Sequence, residues 1–496
     1  MKIETALKSL VSYSIHFLGG DEGDRIYLQN LLLRELSLTS LGDEEVDEAF
    51  VASLSVPDPL LNVVKDYLVK EKGLCEAESE RESDAIMGIL SPRPSEVRRH
   101  FFDLYKEAPH LATDYLYDLS IKNDYIKKSK VDKNIHWNVS FPNGSPLEIS
   151  INLSKPEKNN KDIAKAQKAV VTSYPTCLLC KENEGFAGNE RHPSRENLRI
   201  IPLNMNGGTW YLQFSPYVYY PEHCIVFYEK HIPMAVNEFS LRALFSFVDI
   251  FPHYFIGSNS DLPIVGGSIL SHEHFQGGGH DLPLLKASFK KEFEIHSKVG
   301  TKLYLVDFYD TSLCVSGTNK EDVISFGLKI MDGWKKHDDP QRDIISNDKD
   351  GRHSTSTCIV KKIGDTYRLY IILRNNRCSE AFPEGIFHAH PEFFPVKKEG
   401  IGLIEAAGLF ILPARLERQT AVAAKAVKNN QSFEDMCSEY PDMNEFEAMY
   451  LSFKNGLTAH SYLSGVCRFI LGNVAVYKDT DDGLEGLSLF IGGLGL

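Results

Sequence analysis

The sequence predicts an α+β protein: two related units, each an antiparallel sheet flanked by helices, preceded by an α-helical N-terminal region. Three observations carry this expectation. From Ile3 to about Asn123 apolar residues recur three and four apart, as in Ile3, Leu7 and Leu10 and again in Leu28, Leu31 and Leu32, which is the spacing of one helix face. After Lys133 the pattern shifts to short strand-like runs bounded by turn residues. A strand, a helix, further strands and an HxH motif then follow in the same order twice over. The expected regions are 1–130, helical; 131–295, the first unit; and 296–496, the second unit with C-terminal helices.

Within the helical region, GGDEGD at Gly19 to Asp24 and SPRPSE at Ser91 to Glu96 read as breaks between helices. IHWNVSF and LEISINL form a hairpin through Asn143-Gly144, and KPEKNNKDIAKAQK reads as a charged loop or short helix. Strands are expected in WYLQFSPY and HCIVFYEKH, and a helix from Glu238 to about Phe251. The second half repeats the order with KLYLVDFY, a helical GTNKEDVISFGLKIMDGWKKH, strands around TSTCIVKK and YRLYIILRNN, and His388-Ala389-His390. From Gly400 onward GIGLIEAAGLFILPARL and NEFEAMYLSFKNGL read as amphipathic helices.

A chain of 496 residues exceeds one simple core. Its net charge of −14 argues against broad nucleic-acid or anionic-membrane binding, since both need a basic footprint, yet leaves room for a small anionic substrate in a locally basic cleft. Nine scattered cysteines, with only Cys177 and Cys180 close in sequence, fit a reducing compartment better than a disulfide framework. MKIETALKSLVSYSIHFLGG lacks the layout of a signal peptide, and no window is apolar enough to span a bilayer; a cytoplasmic protein is expected.

The chemistry centres on GGSILSHEHFQGGGH, Gly266 to His280. If extended, His272, His274 and Gln276 share one face. A neutral imidazole can attack phosphorus, and an amide can donate to phosphoryl oxygens without competing as a nucleophile. Glycines such as Gly267, with Ser268 beside it, let backbone amides approach a phosphate. A strand with two ordinary structural histidines is the competing account. Cys177 and Cys180 have the spacing of two thiolates reaching one tetrahedral Zn²⁺; His231 and His272 are candidates for the remaining ligands, with His192, His223 and Cys224 as competitors. Arg191, Arg195 and Arg199 follow the CxxC turn and could pair with phosphate. In YLQFSPYVYY the aromatics beside Ser215, Tyr217 among them, could stack on a base. His353, His388 and His390, with a carboxylate such as Glu384, Glu392 or Glu405, are candidates for a second metal.

HEHFQ preceded by GGS resembles the active-site motif of the galactose-1-phosphate uridylyltransferases, of the histidine-triad superfamily. ATDYLYDLSIKNDYI, LEISINLSKPEK, CLLCKENEGFAG, HPSRENLRIIPL, FSPYVYYPEHCIVF, SHEHFQGG, LRNNR and GLIEAAGLFILPARL are similar to the second, Firmicute-type class, also called UTP-hexose-1-phosphate uridylyltransferases. These blocks run from about Ala112 to Leu416. The resemblance implies two histidine-triad-like units, His274 as nucleophile, Gln276 as hydrogen-bond donor to the uridylylated intermediate, and zinc on Cys177, Cys180, His231 and His272. It also implies a second metal near His353, His388 and His390. Relative to the first class, Ser271 and Glu273 replace two prolines, and one residue more separates Ser268 from His272. The implied reaction moves UMP from UDP-glucose to galactose-1-phosphate, giving UDP-galactose and glucose-1-phosphate, with UDP-sugars and hexose-1-phosphates as partners and a homodimer as candidate assembly. The rivals are a histidine-triad dinucleoside-polyphosphate phosphorylase or nucleotide hydrolase and, in another class, a non-catalytic zinc-stabilised scaffold.

Overall fold

A computed structural model of the chain describes residues 1–142, 144–154, 173–189, 192–294, 300–349 and 351–495. The turn residue Asn143, the charged segment 155–168 and Arg191 lie outside the described residues. The chain divides into two compact units, Met1–Lys133 with Pro156–His231, and Asn134–Lys155 with Ile232–Leu496, so segments of the two interleave along the sequence.

The first unit begins with α1 (Ile3–Phe17), α2 (Arg25–Glu35), α3 (Glu48–Ala52), α4 (Asp58–Lys70), α5 (Glu76–Leu90), α6 (Pro94–Glu107), α7 (Pro109–Lys122) and α8 (Lys128–Val131). Both expected breaks separate helices: GGDEGD lies between α1 and α2, and SPRPSE spans the gap after α5 and the first turn of α6. Pro94 is at the first helical position of α6, where its missing N–H costs nothing, and Glu96 accepts from the Arg93 N–H at 2.8 Å. Leu7, Leu10 and Val11 of α1 are fully buried, as are Leu60, Leu61 and Val64 of the adjoining α4; the three-four spacing is the core face. β1 (Ile135–Phe141) and β2 (Gly144–Asn152) belong to the second unit, and the first continues with the antiparallel run β3 (Ile201–Met205), β4 (Gly208–Phe214) and β5 (Cys224–Tyr228).

The second unit continues with α9 (Glu238–Ile250), β6 (Phe255–Ser258), β7 (His274–Gly278), α10 (Pro283–Lys286), β8 (Phe289–Phe293), β9 (Lys302–Val306), β10 (Ser312–Gly317) and α11 (Lys320–Trp334). β11 (Asn347–Asp348), β12 (Gly351–Arg352), β13 (Ser354–Ile363), β14 (Thr366–Asn375), α12 (Leu403–Ala406) and β15 (Leu409–Pro413) follow. Helices α13 (Arg415–Lys428), α14 (Phe433–Glu439), α15 (Glu447–Lys454), α16 (Ala459–Val474) and α17 (Asp481–Gly493) close it. Its large sheet runs β7-β6-β13-β14-β10-β9-β8 with every neighbouring pair antiparallel, and α9 and α11 cover β13 and β14. A smaller sheet sets β2 between antiparallel β1 and parallel β15. The helical N-terminal region and helix-flanked antiparallel sheets match the expected class. No helix among the described residues is long and apolar enough to cross a membrane.

One expected helix is not there. GIGLIEAAGLFILPARL holds only the short α12, then the strand β15, and α13 begins at Arg415. Gly408 takes φ of +96°, which stops the helix, and LFILP then pairs along β2 with Leu409, Phe410 and Leu412 buried. A continuous apolar run buried on both faces has no period to separate strand from helix.

A half-buried ion network ties α5 to the α7–α8 turn. Lys127 lies 2.6 Å from both Asp84 and Asp124 and 3.3 Å from Glu80, which also meets Lys65 at 3.2 Å and Lys130 at 3.0 Å. Burial works to raise Glu80, but the three lysines outweigh it and hold the carboxyl down at about 2. Burial instead wins at Asp124, pushed up to about 6 against the pull of Lys127. Lys127→Met should lower the unfolding free energy by about 2–3 kcal/mol in urea titrations, less than breaking a fully buried pair costs, because part of Lys127 still meets solvent. The pH dependence has two opposed parts. Glu80 binds its proton more tightly when unfolded, at 4.5, so its stabilisation is complete above that pH and is lost on acidification towards 2. Asp124 binds more tightly when folded, so acidification from about 6 to its unfolded value of 3.8 stabilises. Glu80→Gln should abolish the acid loss and keep the Asp124 gain, as read from unfolding midpoints across that range.

Candidate active site

The nucleophile candidate is presented by β7. The strand begins at His274 itself, later than the alternation suggested, and Ser271 to Glu273 form an irregular lead-in. His274 Nδ1 lies 2.8 Å from the carbonyl oxygen of His272. A carbonyl oxygen only accepts, so Nδ1 carries the proton and Nε2 keeps its lone pair. Burial holds His274 down to about 4, with the His272 carbonyl opposing the shift, so the ring is neutral at pH 7. His272 is fully buried, and Gln276, half-buried, stands opposite Gly257 of β6.

The glycines around this strand answer to close packing. A Cβ on Gly277 would sit 2.3 Å from the Phe255 carbonyl oxygen, and one on Gly266 would sit 2.5 Å from the carbonyl oxygens of Ser260 and Leu262. A Cβ on Gly267 would come within 3.0 Å of Asn259 Nδ2. Asn259 is buried and its Oδ1 accepts from the Leu403 N–H at 2.8 Å, which ties the loop after β6 to α12. Ser268 is exposed on the loop approaching β7.

In the first unit Cys177, Cys180 and His231 converge, with ligand atoms within 4.8 Å of one another. The two sulfurs are 3.5 Å apart, and Cys180 Sγ is 3.3 Å from His231 Nδ1. The turn is held by Asn183, whose Nδ2 donates to the carbonyls of Cys177 and Cys180 at 2.8 and 2.7 Å. Cys177 is lowered to about 7, first by the hydrogen bond from the Cys180 thiol, against burial. Two thiolates and an imidazole suit a borderline-soft ion such as Zn²⁺ rather than a hard oxygen-seeking cation, so this cluster fits a zinc site.

Other sequence candidates fall out differently. Arg199 is buried and committed to the backbone: Nε donates to Pro92 O at 2.7 Å, Nη1 to Glu196 O at 2.9 Å and Leu198 O at 2.8 Å, and Nη2 to Gly88 O at 3.4 Å. Its expected phosphate role gives way to that one. Arg195 stacks over the Tyr125 ring at 5.5 Å. Ser215 is buried; Tyr217 stacks on Tyr219 at 6.2 Å, and Tyr219 on His223 at 5.2 Å. His353, His388 and His390 do not assemble a second metal site among the described residues. His353 Nδ1 meets Asn376 Oδ1 at 3.0 Å and its Nε2 lies 2.9 Å from Asp348, while His390 Nε2 donates to Ile386 O at 3.0 Å. His353 and His390 thus serve local contacts, while neither ring nitrogen of the buried His388 has a hydrogen-bond partner among the described residues.

Residues 23–233 match the family described as galactose-1-phosphate uridyl transferase, N-terminal domain. A galactose-1-phosphate uridylyltransferase of Clostridium acetobutylicum is 44% identical over 85% of this chain and 84% of its own. Those of Bacillus subtilis, 40% identical over 100% and 98%, and Halalkalibacterium halodurans, 39% identical over 92% of each, span nearly everything. The chain belongs to the galactose-1-phosphate uridylyltransferase family. It is therefore an enzyme, and the HFQ half of its HEHFQ segment opens β7 with the tautomer of His274 already set.

Asn183, Asn259 and Glu273 escaped the sequence analysis as supporting residues. Asn183 follows Cys180 by three, the spacing of a side chain capping its own turn, and was open to recognition; the partners of Asn259 and Glu273 are distant in sequence. Gly277→Ala should cost about 1–3 kcal/mol in thermal denaturation, because backbone rather than a flexible side chain fills the space.

Proposed function

We propose that the protein transfers UMP between UDP-glucose and galactose-1-phosphate by double displacement through a uridylyl-His274 intermediate. The observation that supports this most is the buried neutral imidazole with Nδ1–H donated to the His272 carbonyl, which leaves Nε2 as the attacking lone pair. Nε2 forms a bond to the α-phosphorus of UDP-glucose as the bond to the glucose-1-phosphate oxygen breaks. A phosphate oxygen of galactose-1-phosphate then forms the new P–O bond and the P–Nε2 bond breaks, releasing UDP-galactose. Gln276 donates to the phosphoryl oxygens, and the amides of Gly267 and Ser268 with Arg195 help neutralise their charge; Ser215 and Tyr217 serve the uridine. Zinc is assigned to Cys177, Cys180, His231 and His272. Bound there, it would hold the His272 lead-in rigid and contribute no step of its own.

Incubation with UDP-glucose labelled in the uridylyl part should give one label per chain on His274 and release glucose-1-phosphate. No label, or equal label on His274→Ala, would overturn the mechanism. Supplying galactose-1-phosphate, phosphate or water then separates a transferase from a phosphorylase and a hydrolase. Gln276→Ala should lose roughly 2–4 kcal/mol of transition-state stabilisation, far less than His274→Ala. Elemental analysis should find zinc in the wild type and a sharp fall in Cys177→Ser; equal content would remove the cysteines from the site.

A further inference from the structure

We infer that Glu273 is a positioning residue for the nucleophile, its carboxylate acting as the fixed acceptor that seats the His272–His274 segment against Ile232–Val236. The inference rests on the uridylyl transfer proposed for His274. Glu273 is 2% exposed, and Oε2 accepts from the Ala235 N–H at 2.8 Å. Its own N–H donates to Ile232 O at 2.8 Å, and Met234 N–H donates to Leu270 O at 2.9 Å. The Val236 N–H, next in line, is taken by Asp261 Oδ2 at 3.1 Å. Two carboxylates thus replace strand partners over a stretch that has no β-ladder, since β7 starts only at His274.

The peptide unit joining His272 to Glu273 is held at both ends: its C=O accepts from His274 Nδ1 and its N–H donates to Ile232 O. Rotation of that unit would withdraw the acceptor that fixes the imidazole tautomer. The Glu273 side chain resists the rotation by anchoring the same residue to the same segment at a second point. Packing alone would not call for a carboxylate here, because burying one is costly and Oε1 has no hydrogen-bond partner among the described residues. What the carboxylate supplies is an acceptor at the reach of a glutamate.

Glu273→Asp keeps the carboxyl group but withdraws the acceptor by one methylene; Glu273→Gln keeps the reach and an acceptor oxygen but replaces the carboxyl by an amide. Single-turnover labelling of His274 by UDP-glucose should slow on the order of 10- to 100-fold in Glu273→Asp, the scale of a small misplacement of a reacting group. The KM for UDP-glucose should stay within about threefold, and Glu273→Gln should label within about threefold of wild type. Labelling of Glu273→Asp at the wild-type rate would overturn the inference, as would Glu273→Gln proving as slow as Glu273→Asp. A wild type that takes no label would instead sink the transfer mechanism on which the inference stands.

Discussion

The hydrogen bond from His274 Nδ1 to the His272 carbonyl decides what the rest of the motif can do. An imidazole has two nitrogens of nearly equal basicity, and an enzyme that needs one as nucleophile must keep the proton on the other. A carboxylate partner would do so and also raise the basicity of the ring. A backbone carbonyl fixes the tautomer without adding charge, and burial then keeps the imidazole unprotonated. The tautomer is thus set by two residues of the same short segment, whatever side chains lie further away.

That choice passes the burden to the backbone. The carbonyl of His272 is useful only if its peptide unit does not turn, and residues 271–273 lack the ladder that would hold a strand. Main-chain bonds to Ile232 and Leu270 and the carboxylates of Glu273 and Asp261 take its place. On the far side of His274, Gly277 packs directly on the Phe255 carbonyl, so β6 and β7 approach more closely than any side chain allows. His274 stands between a tethered lead-in and a strand with no room to shift.

Much of this was legible in the sequence, and the reasons for success and failure differ residue by residue. N-terminal helices such as α1 and α4 followed from their period because one face of each is buried and the other is not. Ligand chemistry and spacing pointed to Cys177 and Cys180, whereas His231 stood among several candidates until the family resemblance singled it out; the three converge. LFILP misled because burial on both faces erases the period, and only its parallel pairing with β2 makes it a strand. Arg199 misled because a guanidinium satisfies carbonyls as readily as phosphates, and its partners Gly88 and Pro92 lie about a hundred residues away. The second histidine set is not gathered into one cluster among the described residues, and a spacing pattern says nothing of the Asn376, Asp348 and Ile386 contacts that engage His353 and His390.

A histidine held near 4 looks at first like a poor nucleophile, since nucleophilicity falls with basicity. The proposed double displacement asks for more than attack. In its second half His274 must leave phosphorus, and a less basic imidazole leaves more readily. Lowering the basicity therefore slows one half-reaction and speeds the other, while ensuring that no protein waits protonated at neutral pH. For an exchange between two sugar phosphates of nearly equal chemistry, neither half-reaction can be favoured at the expense of the other. Burial with a neutral carbonyl partner is the arrangement that meets both demands, and it explains why the ring is locked by backbone and not by the carboxylate next to it in sequence, which is turned instead to Ala235.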